Sequence, residues 1–311
     1  MARYVFGADV GGTTVKIGLL TETGEKVEFW EIPTVTEDHG SRIIPDIAAS
    51  IRAKMKERKI EDTEVVGAGV GVPGAVNSDG MCYQAVNLGW EKISVVNELH
   101  SALKLPVKAG NDANVAALGE AWKGGGQGYN NLLLVTLGTG VGGGIIIDGK
   151  ILSGSKGSGG EIGHIHLVDD EPEKCGCGKH GCFEMYASAT GAVRLARRVL
   201  AMYDEPSVLR EKEYECRDIF DAAKNGDNMA RMAAEQYGYY LGKGIAAVAT
   251  VTNPEIIVLG GGVSKAGDML FDLLMPSFKK YAFSGCAEAK FALAKLGNDA
   301  GVYGAAKLLI G

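Results

Sequence analysis

Asp9-Val10-Gly11-Gly12-Thr13-Thr14 lies between two apolar runs, Tyr4 to Ala8 and Val15 to Leu20, the second closing at a turn around Gly24. This reads as strand, glycine turn, strand. It places a carboxylate at a strand end, beside backbone N–H groups left open by glycine and beside two hydroxyls. Such a loop can cradle phosphates and hold Mg²⁺. Taken alone, it is equally an ordinary hairpin with a surface aspartate.

A second copy of the design tips the balance. Leu132 to Leu137 runs into Gly138-Thr139-Gly140-Val141-Gly142-Gly143-Gly144, then Ile145 to Ile147, and closes at Asp148-Gly149. Two such hairpins imply two related halves able to grip a nucleotide triphosphate from both sides. Much of the chain's glycine, 46 residues in all, falls at such turns between short apolar runs, where close backbone approach to a ligand is possible. Gly138 to Gly143 also satisfies the dinucleotide pattern G-x-G-x-x-G, but that fingerprint must open a helix and here it runs into Ile145-Ile146-Ile147. Gly69, Gly71 and Gly74 fit the same spacing and precede no helix. No G-x-x-x-x-G-K-[ST] occurs, so the chain is not a P-loop enzyme.

Around the hairpins the spacing predicts a helix near Asp46 to Lys59, a buried strand Val65 to Val72, and a helix near Ala113 to Trp122. Helices near Met185 to Met202 and Asn228 to Val251 follow, then a strand Ile256 to Leu259 and a helix from about Lys265. The alternation predicts an α/β fold. The pattern places a domain crossing near Gly110, giving a small α/β domain over 1–110 and a large one over 111–297 that contains the cysteine cluster described below.

The 311 residues are 46% hydrophobic and 23% charged, enough to bury the cores of two domains. Lys and Arg number 32 against 38 Asp and Glu, a net charge of −6 that gives no general reason to bind nucleic acid or an anionic membrane. The N-terminus does not read as a signal peptide, and no apolar stretch approaches the ~20 residues of a membrane helix. The expectation is a cytoplasmic protein acting on a small molecule. Six cysteines are too few for a disulfide scaffold, and three of them crowd into Cys175, Cys177 and Cys182.

Those three, eleven residues after His164, give C-x-C-x₄-C with a histidine. Three thiolates and one imidazole make a closed tetrahedral Zn²⁺ site, structural because no position stays open for water. Gly176, Gly178 and Gly181 let the loop wrap tightly, and His166 and His180 compete with His164 as the fourth ligand. Glu161 and Glu184 bracket the cluster and are candidates for bidentate hydrogen bonds to sugar hydroxyls. Asn111 or Asp112, at the start of the helix after Gly110, needs no role beyond an N-cap. In an apolar cleft, however, such a carboxylate is placed to accept a hydroxyl proton as the hydroxyl attacks a γ-phosphate.

In this order the motifs resemble the ROK family of repressors, uncharacterised reading frames and sugar kinases, over nearly the whole length. They are DVGGTTVKIGL at 9–19, GVGVPGAV at 69–76, AVNLGW at 85–90, GNDANVAALGEAW at 110–122, LGTGVGGGIIIDGK at 137–150, GGEIGHI at 159–165, CGCGKHGCFE at 175–184 and GGGVS at 260–264. The resemblance implies the two-domain actin-like ATPase (ribonuclease H-like) fold with an interdomain cleft, and a C-terminal helix, 298–311, that returns to complete the first domain. It implies an ATP-dependent kinase of the 6-hydroxyl of a hexose. Glucose is favoured because AVNLGW is more similar to the family's glucokinases than to its N-acetylmannosamine and N-acetylglucosamine kinases. Those amino-sugar kinases, and a non-catalytic sugar sensor, are the alternatives.

By the same resemblance Asp112 is the catalytic base, and Asn111, Asp112, Glu161, His164 and Glu184 contact the sugar. His164, Cys175, Cys177 and Cys182 bind structural Zn²⁺, so that one nitrogen of His164 serves the metal and the other a sugar hydroxyl. Asp9, Gly11, Gly12, Thr13, Thr14, Lys16, Thr136, Gly138, Thr139 and Gly140 hold the phosphates of Mg²⁺-ATP, and Gly260, Gly261 and Gly262 approach the adenosine. A homodimer or homotetramer is expected, with no nucleic-acid or membrane partner.

Overall fold

The computed structural model describes residues 3–310. Contacts divide the chain into two compact units, the first comprising 1–132, 144–160 and 295–311, the second 133–143 and 161–294. The crossing expected near Gly110 falls inside the first unit, which continues through the next helix.

The first unit is built on β1 (Tyr4–Val10), β2 (Thr14–Thr21), β3 (Lys26–Pro33), β4 (Val65–Val72) and β7 (Val107–Asn111), after the small ribbon β5 (Met81–Cys82) and β6 (Ile93–Ser94). Strand order is β3-β2-β1-β4-β7, with β1, β4 and β7 parallel and β2 antiparallel to both neighbours. Its helices are the single kinked turn α1 (Glu37–Gly40), then α2 (Ile43–Arg58), α3 (Val95–Leu103) and α4 (Asp112–Lys123). The helix expected over Asp46 to Lys59 thus begins three residues earlier, and Lys59 closes it in the left-handed region.

The second sheet runs β10-β9-β8-β11-β12, from β8 (Leu132–Leu137), β9 (Val141–Ile147), β10 (Lys150–Ile151), β11 (Ile256–Gly260) and β12 (Lys290–Leu293). Its order repeats that of the first sheet, as expected from paired hairpins. With it go α5 (Glu184–Ala187), α6 (Ala189–Met202), α7 (Cys216–Lys224), α8 (Asn228–Thr252) and α9 (Asp268–Tyr281). The helix read as continuous from Met185 to Met202 is interrupted at Ser188, which is extended and accepts a hydrogen bond from the Gly191 N–H. A short serine side chain competes well for a helix's open N–H groups, so it starts a new helix there. The helix expected from Lys265 is a 3₁₀ turn over Gly262–Ala266, and α9 proper starts at Asp268.

The chain then returns to the first unit as α10 (Ala300–Ile310). Side chains alternate across a strand. On β1 this sends Phe6, Ala8 and Val10 to the core formed with Ile43, Ile47 and Ile51 of α2, and turns Val5 toward Val302 and Ala306 of α10. The helix lies at backbone contact on that second face. A Cβ added at Gly7 would stand 2.1 Å from the Val302 carbonyl oxygen, and one at Gly69 only 1.7 Å from that of Ala305. On the other side of α10, a Cβ at Gly304 would stand 1.7 Å from the carbonyl oxygen of Val115 in α4.

Glu120 of α4, 1% exposed, fixes this return. Its carboxylate accepts the N–H of Gly125 at 2.6 Å, of Lys295 at 3.1 Å and of Leu296 at 2.8 Å. Glu120→Ala strands three backbone donors, and hydrogen bonds to a charged group contribute about 1.5–3 kcal/mol each. We expect about 3 kcal/mol or more of destabilisation, read as a fall of about 5–10 °C in the thermal midpoint; an unchanged midpoint would refute the role.

Candidate active site

Asp9 sits at the end of β1 on the face that α10 covers. It pairs in register with Lys16 of β2, whose Nζ lies 2.5 Å from Asp299 just before α10. Gly301 of α10 has no room for a Cβ, which would fall 2.3 Å from the Asp9 carboxyl. Burial, and then the negative charge of Asp112, push the Asp9 carboxyl up to about 6, with Lys16 opposing. Gly11, Gly12, Thr13 and Thr14 are exposed. Their turn is closed by the Gly11 N–H on the Thr14 carbonyl at 2.9 Å and by the Thr34 hydroxyl on the Gly11 carbonyl at 2.7 Å.

Asp112 is half-buried at the first position of α4. Asn111 is the N-cap, its Oδ1 accepting the Asn114 N–H at 3.1 Å. Its amide donates to the Gly74 carbonyl at 3.1 Å and to Asp112 Oδ1 at 2.9 Å, where the Ala113 N–H also donates at 2.7 Å. The first unit therefore holds Asp9, Lys16, Asn111, Asp112 and the glycine-threonine turn.

The second unit holds the rest. His164, Cys175, Cys177 and Cys182 bring one ligand atom each within 4.8 Å of one another. His164 Nδ1 is 3.7 Å from Cys175 Sγ, and Cys177 Sγ is 3.6 Å from Cys182 Sγ. The backbone N–H of Lys179 holds the Cys177 thiol below its ordinary range, favouring thiolate. Three sulfurs and an imidazole at this spacing fit a tetrahedral zinc ion. His166 and His180 are engaged elsewhere: His166 bonds the His180 carbonyl and Asp169, each at 3.0 Å, and His180 bonds the Glu171 carbonyl at 2.7 Å.

With Nδ1 turned to the thiols, His164 Nε2 faces the other way, 4.0 Å from Glu161 Oε2. Glu184, first residue of α5, lies 3.7 Å from His164 Nδ1 and accepts from Cys175 at 2.8 Å. Gly140 gives it access to the second turn, since a Cβ there would stand 2.6 Å from Glu184 Oε2. That turn is pinned to the start of α6 by the Ala189 N–H on the Gly138 carbonyl and the Thr190 hydroxyl on the Thr139 carbonyl, both 2.8 Å.

A cavity of 1270 Å³ opens within the second unit, lined among others by Thr139, Thr190, Arg194, Arg197, Tyr214 and Gly262. It exceeds the several hundred Å³ of an ordinary small-molecule site, and it joins a glycine turn to the N-terminus of α6, a natural anion site. Of the three glycines expected near an adenosine, Gly262 lines it. Gly261, at φ +84°, packs on the Leu137 backbone instead, and Gly260 against Ala294. Thr136, half-buried near the end of β8, is not among the lining residues. The cationic wall was not foreseen, because Arg194 and Arg197 read in sequence only as the polar face of a helix. Glu171 anchors the start of the cysteine loop to that wall. Burial alone would raise its carboxyl, yet Arg198, the Tyr186 hydroxyl and the Glu173 N–H outweigh burial and hold it at about 2.

A raised carboxyl disfavours its own ionisation in the fold, so the penalty is absent below pH 3.8 and fully present above about 6. Free of nucleotide and magnesium, Asp9→Asn is expected to be more stable than wild type by about 1–3 kcal/mol at pH 7.5 and no more stable at pH 4. Urea denaturation at both pH values checks it; a gain that persists at pH 4 would contradict the assignment.

The family model for the ROK family matches residues 5–311. The chain is 46% identical to a glucokinase of Halalkalibacterium halodurans, over 97% of this chain and 93% of that protein. It is similar to the structure of a ROK family glucokinase from Streptomyces griseus in complex with glucose and AMPPNP, 33% identical with a TM-score of 0.74 over 98% of each chain. A ROK hexokinase from Thermus thermophilus is 30% identical with a TM-score of 0.80, over 99% of this chain and 97% of that one. Repeated sheets, paired glycine turns, the Cys₃His cluster and these likenesses lead to one conclusion: the chain belongs to the ROK family and has the two-domain actin-like ATPase fold of its sugar kinases.

Proposed function

We propose that this protein is an ATP-dependent glucose kinase that transfers the γ-phosphoryl group to the sugar's 6-hydroxyl. Likeness to glucokinases over nearly the full length supports the substrate. The observation that carries the chemistry is Asp112, held by Asn111 and the Ala113 N–H at the start of α4. Asp112 is the general base: it takes the 6-hydroxyl proton as that oxygen attacks the γ-phosphorus and ADP leaves. Asn111, Glu161, His164 and Glu184 orient the sugar.

The two glycine-threonine turns receive the phosphates, with Lys16 beside the first, and the cavity of the second unit takes the nucleoside. Asp9 would hold Mg²⁺, which would supply charge neutralisation on the phosphates. His164, Cys175, Cys177 and Cys182 would hold zinc through Nδ1 and the three sulfurs, leaving His164 Nε2 for the sugar. A non-catalytic sugar sensor is disfavoured because it would need no base at 112.

Asp112→Asn keeps the oxygen that accepts both hydrogen bonds and loses the base. We expect unaltered folding, near-normal glucose binding, and a kcat lower by about 10² or more in a coupled ADP-release assay. Near-normal turnover would refute the assignment.

Zinc removal is expected to separate the two substrates. If stripped protein remains folded, calorimetric titration should show glucose affinity lower by about tenfold or more and affinity for an ATP analogue little changed. Equal losses would reduce His164 to a structural ligand.

A further inference from the structure

Asn114, third residue of α4, is 2% exposed, and neither its burial nor its helix accounts for an amide there. Its Nδ2 donates to the Gly159 carbonyl at 3.0 Å, while its Oδ1 accepts from no group among the described residues. A buried acceptor left unpaired costs about as much as an ordinary hydrogen bond contributes, so the side chain brings little net stability. An apolar residue of the same shape would serve the fold at least as well.

The partner of the amide is more informative. Gly159 lies in a loop in which Gly154, Gly157 and Gly160 all have positive φ, at +71°, +80° and +93°. The loop is closed by the Gly159 N–H on the Ser153 carbonyl at 2.8 Å, and an added Cβ at Gly157 would stand 2.4 Å from the backbone of Val76. Asn111 holds the carbonyl of Gly74, and Asn114, one turn on, holds that of Gly159, two residues before Glu161. The two asparagines flank Asp112 and each secures one glycine-containing segment.

We propose that Asn114 is a positioning residue for the phosphoryl transfer: it ties the segment leading into Glu161 to the helical turn that carries the base. This rests on the glucose-kinase reading above. Asn114 touches no reacting atom; it acts through the Gly159 carbonyl by limiting the freedom of a glycine-rich lead-in.

Asn114→Leu removes the tether and the unpaired oxygen together while keeping the shape. The expected result is a denaturation midpoint no lower than that of wild type, a KM for glucose raised tenfold or more, and a KM for ATP within twofold of wild type. Hydrogen–deuterium exchange should quicken at least fivefold over residues 152–161, with α4 still protected. A folded variant whose glucose KM stays within twofold, or whose exchange there is unchanged, overturns the proposal. Should the leucine variant fail to fold, Asn114→Ser, too short to reach Gly159, gives the same two readings. Wild-type protein that releases no ADP with glucose would overturn the functional reading instead, and the exchange comparison would still decide the tether.

Discussion

Backbone contact between α10, the first sheet and α4 is the constraint on which the rest depends. Gly7 and Gly69 leave room for the α10 backbone, and Gly304 of α10 leaves room for that of α4. That closeness lets Glu120 reach three N–H groups of two different segments. It also places the start of α10 against Asp9, with Asp299 beside it holding Lys16. The carboxylate at the end of β1 is therefore enclosed by the same packing that completes the core. Its raised pKa follows from that enclosure and from Asp112. Stability is given up at this residue: the fold makes the charged form of Asp9 less favourable than it would be in water.

In the second unit the organising element is the cysteine loop. Its three cysteines gather with His164, and it is anchored where Glu171 meets Arg198 and Tyr186. Glu161, His164 and Glu184, proposed to hold the sugar, lie at or beside the cluster, and Arg198 also lines the large cavity. A change at the Cys₃His cluster thus has a short path to His164 and Glu184, and a longer one, through the Glu171–Arg198 ion pair, to the cavity.

Much of this was legible in the residues. The hairpins at 9–14 and 138–144 announced a repeated half, and the strand orders agree. C-x-C-x₄-C pointed to a metal loop but left three histidines open; the family resemblance singled out His164, and the geometry agrees, since His166 is engaged with Asp169. Ser188 was passed over inside an apolar helical pattern, since periodicity records burial and not capping. Glu120 and Asn114 read as ordinary helix positions. Their partners lie 175 and 45 residues away, beyond any local signal. The glycines of Val65-Val66-Gly67-Ala68-Gly69-Val70-Gly71-Val72 were in view, but that their alternation marks a helix-bearing face emerged only with α10 in place.

The return of α10 also bears on how the protein is made. Residues 1–132 leave the ribosome with one face of their sheet uncovered, and its cover, 295–310, emerges only after the whole second unit has been synthesised. At 5–20 residues per second that wait is of order 10–30 s. The second unit, whose segments are complete by residue 294, can fold while the first still exposes a glycine-lined, apolar face. The nascent first unit is thus the part most exposed to aggregation and most in need of chaperone cover, and a protein stalled or cleaved before residue 295 would keep that face open.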